Sequence, residues 1–192
     1  MLIDILISKV RVKILELFLG LPGQSYHVRE IVRRVEEEIN AVRRELARLE
    51  KTGFLQSEWR ANRRYYSVKR DFVYLAEFLS MVNKSVGAGG SIIKNRAKLG
   101  KISFAMLSGS FVKGRPYNQN EIDLFVVGTI VLPELSSIIK EEEARRNREI
   151  NFTPMTDEEF KFRKSRRDPF VLNILSKPRV MLIGDEEELV RT

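Results

Sequence analysis

Glu121 and Asp123 stand two residues apart in GSFVKGRPYNQNEID, the stretch from 109 to 123. On a strand, two carboxylates at that spacing emerge on one face, where they can share Mg²⁺ against the phosphates of a bound nucleoside triphosphate. Gly109 lets the backbone approach phosphate oxygens, Ser110 offers a hydroxyl and an amide, and a following helix would present free N–H groups. Lys113 and Arg115 add positive charge, and Gly114 lies on the same loop. A two-metal site needs a third carboxylate, and Glu149 in REINFT is the candidate, because alternation on a strand from Arg148 to Thr153 puts Glu149 and Asn151 on one face. Such a residue could bind the second metal and take the proton from an acceptor hydroxyl as it attacks the α-phosphate. The flanking Ile122, Leu124, Phe125, Val126 and Val127 predict that Glu121 and Asp123 sit within a buried strand.

A second constellation is basic. Ile39, Val42, Leu46 and Leu49 have the spacing of a buried helix face, so about 100° of turn per residue puts Asn40, Arg44, Ala47, Arg48 and Lys51 on the other side, with Arg43 beside them. A hairpin over Leu55–Trp59 and Arg64–Val68 turns at Ala61 and Asn62, and its tip adds Arg60, Asn62, Arg63 and Arg64. Arg and Asn suit base edges of double-stranded DNA, and the hairpin arginines suit its phosphates. Ordinary solvated charge on a small helical domain would look similar along the helix alone.

These residues need elements to hold them. Val10, Ile14, Leu17 and Phe18 predict a first helix closed by Gly20 and Pro22, and Val28, Ile31, Val32 and Val35 a second with Ser25 as N-cap. The third helix ends at Gly53 and the hairpin follows. Phe72, Leu75, Phe78, Leu79 and Val82 predict an amphipathic connecting helix over 71–90 that runs into a glycine-rich linker, VGAGG at 86–90, where the domain boundary is expected. Beyond it helices near 91–98, 132–145, 156–166 and 169–176 alternate with strands at Ile102–Leu107, around Asp123, at Arg148–Thr153 and at Val180–Ile183. DEEE at 185–188 opens a last short helix. The class is α+β, with a mixed-sheet α/β second half.

Composition removes other chemistry. The chain has 192 residues, no cysteine and one histidine, His27, which leaves no thiolate site, no disulfide, no two-histidine zinc centre and no Ser/His/Asp triad. His27, among Ser25, Tyr26 and Val28 at a helix start, reads as structural. The formal charge of +8 favours an anionic partner. Residues 1–85 carry 16 Lys and Arg against 11 Asp and Glu, while 86–192 carry 18 against 15, so the N-terminal half is the more basic. KFRKSRR at 161–167 could bind a triphosphate or nucleic acid, but reads rather as a solvated helix end offsetting its dipole. MLIDILISKV carries Asp4 within its apolar run and no cleavage signal, and no segment reaches the roughly 20 apolar residues of a membrane span, so the expected location is cytoplasmic, away from membranes.

The order of three helices and a hairpin, with KTGFL joining them and RRYYSV on the return strand, resembles an ArsR-like winged helix-turn-helix over about residues 5–70. That resemblance implies a supporting helix at 26–35, a recognition helix at 40–51, a wing at 54–68, and a homodimer that reads two half-sites, with Phe72 to Val82 as a candidate interface. Packing between the chain's own domains is the alternative use of that helix. Metal sensing through Cys and His has no ligands here. Gly109-Ser110 with Gly114 and the paired carboxylates, carried on through REINFTPMTDEEF and PRVMLIGDEEEL, resembles the minimal nucleotidyltransferases related to DNA polymerase β and kanamycin nucleotidyltransferase, over most of 91–192. It implies Gly109, Ser110, Lys113 and Gly114 as nucleotide contacts and Glu121, Asp123 and Glu149 as catalytic metal ligands. The family's Ser-Asp-x-Asp is Asn120-Glu121-Ile122-Asp123 here, and the longer arm of Glu121 could displace or weaken a Mg²⁺ that requires near-ideal octahedral geometry, although glutamate can remain a ligand. The resemblance thus implies a DNA-binding regulator with a nucleotide-binding domain, or an active nucleotidyltransferase acting on a protein, nucleic-acid or small-molecule hydroxyl, including a toxin-antitoxin-like role.

Overall fold

A computed structural model describes residues 8–191. The chain is mixed α/β, compatible with the α+β class, and forms two compact units, Met1–Val86 and Gly87–Thr192. The first seven residues, on which the reading of MLIDILISKV partly rests, lie outside the described residues.

The N-terminal unit has helices α1 (Lys9–Gly20), α2 (Val28–Val35), α3 (Ile39–Lys51) and α4 (Leu75–Ser85), with strands β1 (Tyr26–His27), β2 (Leu55–Arg60) and β3 (Arg63–Val68). Val12, Ile14, Leu15, Phe18 and Leu19 of α1 are buried while Val10 and Leu17 are only partly so, so its buried face keeps Ile14 and Phe18 of the expected stripe and is otherwise shifted. Ser25 is not the cap of α2. His27 is: its Nδ1 accepts from the Glu30 amide at 3.4 Å, and its ring meets Tyr65 edge-on. The two-residue β1 pairs with β3 and turns the hairpin into an antiparallel sheet of order β1-β3-β2. Glu38 caps α3 through the Ala41 amide at 2.9 Å, and the Asn40 and Ala41 amides hold its carboxyl below the usual glutamate range. Buried Glu45 ties α3 to α1, accepting from Ser8 Oγ at 3.2 Å and Arg11 Nε at 2.9 Å. Phe72 and Phe78 pack on Phe54, so part of the apolar segment 72–82 is used inside its own unit.

The C-terminal unit opens on α5 (Gly87–Lys94), so the glycine-rich segment is a helix start and not a linker. Gly87 suits that start because its φ is 65°, in the left-handed region, and a Cβ there would also lie 2.6 Å from Arg145 Nη2 and 2.9 Å from Glu142 Oε1. Strands β4 (Gly100–Ser108), β5 (Leu124–Ile130), β6 (Phe152–Met155) and β7 (Arg179–Ile183) form a mixed sheet of order β6-β5-β4-β7, in which β5 and β6 run parallel. Helices α6 (Gly109–Val112), α7 (Leu132–Arg146), α8 (Asp157–Ser165), α9 (Pro169–Ser176) and α10 (Glu186–Val190) complete it. Met106 pairs with Phe125 and Phe104 with Val127 across β4 and β5, and on that face they pack with Phe160 of α8, Val171 and Ile174 of α9 and Leu189 of α10. The alternate pairs, Ala105 with Val126 and Leu107 with Leu124, are buried on the opposite face. No helix among the described residues is long and apolar enough to cross a membrane.

Candidate functional site

Asp123 ends the loop that enters β5 and is not part of the strand; Glu121 lies on the same loop. The expectation that strand alternation aligns the two carboxylates is therefore corrected, and their directions are set by individual contacts. The Asp123 amide donates to the Asn151 carbonyl at 2.7 Å, and its Oδ2 accepts from the Asn151 amide at 3.1 Å. Arg148 Nη2 sits 2.6 Å from the same Oδ2, with only 7% of the Asp123 side chain and 17% of the Arg148 side chain exposed. That contact is an ion pair without good hydrogen-bond alignment, and Arg148 Nε is buried without a hydrogen-bond partner among the described residues. The guanidinium is held by other means: Nη1 donates to the Arg115 carbonyl at 2.7 Å, and its central carbon lies 5.3 Å from the Phe111 ring centre and 5.9 Å from that of Tyr117.

The remaining predicted ligands diverge. Glu121 Oε1 is 3.8 Å from Lys177 Nζ. Glu149 precedes β6 and is exposed; burial and the nearby Glu149 carboxylate push the Tyr117 pKa up. Asn151, expected beside Glu149, instead pins the loop by donating to the Gln119 and Glu121 carbonyls at 3.1 and 2.9 Å. Among the described residues no group of three or more His, Cys, Asp or Glu could hold a metal ion. Glu121, Asp123 and Glu149 thus do not assemble into the expected Mg²⁺ site, and the residues around Asp123 fit a guanidinium.

The glycine-serine loop is also differently used. Gly109 donates its amide to the Pro178 carbonyl at 2.7 Å, and a Cβ there would lie 2.9 Å from that oxygen, so the glycine admits Pro178 where a phosphate was expected. Ser108, which the sequence reading passed over, caps α6 by accepting from the Phe111 amide at 3.2 Å. Ser110 forms no side-chain hydrogen bond among the described residues, its carbonyl accepts from the Arg115 amide at 3.0 Å, and Lys113 and Gly114 are exposed. A cleft of about 110 Å³ opens in front of Asp123, with Met106, Phe125, Phe170 and Ile174 as apolar wall and Asn120, Asn173 and Lys177 as polar rim.

Behind Phe111 lies a second charged cluster that the sequence reading missed. Buried Glu142 accepts from Arg145 Nε at 2.8 Å and Arg146 Nε at 2.6 Å, and Arg146 lies over the Phe111 ring at 4.1 Å. Burial works against the charged Glu142, yet the two arginines outweigh it and hold its carboxyl below the usual range. The i, i+3 and i, i+4 spacing of Glu142, Arg145 and Arg146 was the available signal.

In the N-terminal unit, Asn40, Arg43, Arg44, Arg48 and Lys51 all lie exposed on α3, as the periodicity predicts. Their electrostatic states differ. Arg43, Arg44 and Lys51 form no ion pair among the described residues, whereas Arg48 Nη1 is 3.2 Å from Glu45 Oε1. At the hairpin, Asn62 and Arg63 are exposed and unpaired among the described residues. Arg60 pairs with Glu58 and lies over Tyr65 at 4.8 Å. Arg64 is committed inward, its Nη2 2.9 Å from both oxygens of Glu50 and its Nε 2.9 Å from Ser57 Oγ. Trp59 pairs with Arg64 across the hairpin and is 70% exposed.

Three of the five basic residues of the KFRKSRR segment are engaged within their own unit. Arg163 pairs with Glu159, Lys164 donates to the Leu189 carbonyl at 2.6 Å, and Arg166 lies over Phe162 at 4.8 Å. Comparison of the chain with family models, with curated proteins and with solved structures finds no match.

Proposed function

We propose that the chain is a DNA-binding transcriptional regulator of the winged-helix type, whose C-terminal unit is a nucleotidyltransferase-like scaffold that binds a nucleotide-type ligand. The observation that carries the reading is the exposed, unpaired set Arg43, Arg44 and Lys51 on α3, continued by Arg63 on the hairpin. A helix presenting Asn and Arg to a major groove and a hairpin presenting Arg to the adjoining phosphates match the chemistry of duplex DNA. Arg64 leaves the contact set, because Glu50 and Ser57 hold it. A homodimer reading two half-sites belongs to the same proposal, and Val73 and Tyr74, 76% and 59% exposed ahead of α4, are available for it. Trp59 is the sole tryptophan, so its emission reports on the hairpin alone. Titration with a fluorescently labelled duplex should raise the label's anisotropy and shift Trp59 emission together. An anisotropy that stays flat on every duplex of a genomic library sinks the reading.

A second reading, nucleotidyl transfer onto a protein, nucleic-acid or small-molecule hydroxyl, as in a toxin-antitoxin pair, is favoured by the cleft in front of Asp123. It requires Mg²⁺ on Asp123 and therefore displacement of Arg148. Label transfer from α-labelled triphosphates that disappears in Asp123→Asn would support it; label that persists in that variant places the chemistry elsewhere.

A further inference from the structure

We propose that the cleft of the C-terminal unit binds an uncharged nucleoside without a metal ion, Arg148 holding the place beside Asp123 that a divalent cation would take. The inference rests on reading that unit as a nucleotide-binding scaffold and specifies what the scaffold accepts.

Three features converge. First, the charges at the cleft are already matched: Asp123 with Arg148 at 2.6 Å and Glu121 with Lys177 at 3.8 Å. A triphosphate brings several negative charges and needs cations in excess, while Mg²⁺ needs six oxygens at about 2.1 Å and is repelled by a guanidinium already on Oδ2. Second, the amide most suited to a phosphate, that of Gly109, donates to Pro178. The helix behind it, α6, has only four residues and adds no anion site. Third, what the cleft does offer suits a flat, polar, uncharged ring. Its wall is Met106, Phe125, Phe170 and Ile174, and its rim carries the side-chain amides of Asn120 and Asn173. Asp123 lines it too, and its Oδ1 has no hydrogen bond among the described residues. With Oδ2 neutralised by Arg148, Oδ1 acts as an acceptor for an amino or hydroxyl group of a neutral ligand. The volume, about 110 Å³, is somewhat below the ~150 Å³ apolar cavity that takes up benzene, which is room for a single ring with the rest of the ligand toward solvent.

The experiment uses the full chain. Calorimetric titration with adenosine, guanosine, cytidine and uridine, with and without Mg²⁺, is set beside titration with the four triphosphates and Mn²⁺ binding followed by paramagnetic resonance. At least one nucleoside should bind, with an affinity that changes by less than about twofold when Mg²⁺ is added, and Mn²⁺ should stay free. Phe170→Ala, a change at an exposed wall position, should weaken the nucleoside about tenfold through lost stacking. Arg148→Gln should gain Mn²⁺ binding that the double change with Asp123→Asn abolishes. Mn²⁺ bound by the unaltered chain and lost in Asp123→Asn, or a triphosphate that binds only with Mg²⁺, would overturn the inference and leave the scaffold reading standing. Failure of every nucleoside and nucleotide to bind would overturn both, whether or not the chain binds DNA.

Discussion

On α3, Arg43, Arg44 and Lys51 stand in solvent with no ion pair among the described residues, whereas in the C-terminal unit Asp123 and Glu121 at the cleft, and Glu142 in the separate cluster behind Phe111, each face a cation. The two surfaces looked equally functional as patterns of residue types. They differ in what remains for a partner. Charge already matched within the fold has its field cancelled locally and must lose one interaction to make another, while an exposed, unmatched cation attracts phosphate at no such cost. Within the N-terminal unit the same distinction separates Arg44 from Arg64, both arginine and both assigned to DNA by sequence.

The largest effect is expected where matching is most buried. Glu142→Ala leaves Arg146, whose side chain is 6% exposed, without its partner, and should lower the stability of the C-terminal unit by about 3 kcal/mol in denaturant unfolding. A loss below about 0.5 kcal/mol would mean that the cluster is not the anchor described. Next, Arg44→Ala with Lys51→Ala should weaken duplex binding at least about tenfold while leaving the melting temperature unchanged. The contrast is Arg64→Ala, which should cost about 1 kcal/mol of N-terminal stability through its half-exposed pair with Glu50 and change DNA affinity less than the double variant does. Equal effects of Arg44 and Arg64 on binding, with no stability difference, would erase the comparison.

The smallest effect is acid sensitivity. Burial opposes ionisation of Glu142, but Arg145 and Arg146 hold its folded carboxyl below the unfolded value. Its contribution is therefore fully present above the ordinary glutamate range and fades as pH falls through the depressed folded value. A melting series from neutral to acid pH should show that loss, and Glu142→Gln should flatten it.

Most helices and strands were legible because their apolar spacing is regular, and the exposed face of α3 followed directly from that spacing. Three features were not. The glycine-rich VGAGG imitates a linker, and only the fold shows that a helix begins at Gly87, whose φ of 65° suits glycine and whose Cα lies close to the Glu142 and Arg145 side chains. Strand β1 has two residues, too few for any alternation to register, and it moved the cap of α2 from Ser25 to His27. The site was the least legible part. Residue types singled out Asp123, Glu121 and Glu149, but Arg148 beside Glu149 is brought to Asp123 only by the parallel pairing of β5 with β6. No local pattern announces that contact.

Duplex affinity measured across a salt series tests the central claim most directly, because unmatched cations bind DNA by releasing its counterions. The account predicts a steep loss of affinity with rising salt for the unaltered chain, and a logarithmic slope smaller by about two when Arg44 and Lys51 are both alanine. A slope that both proteins share, or an affinity indifferent to salt, would contradict it.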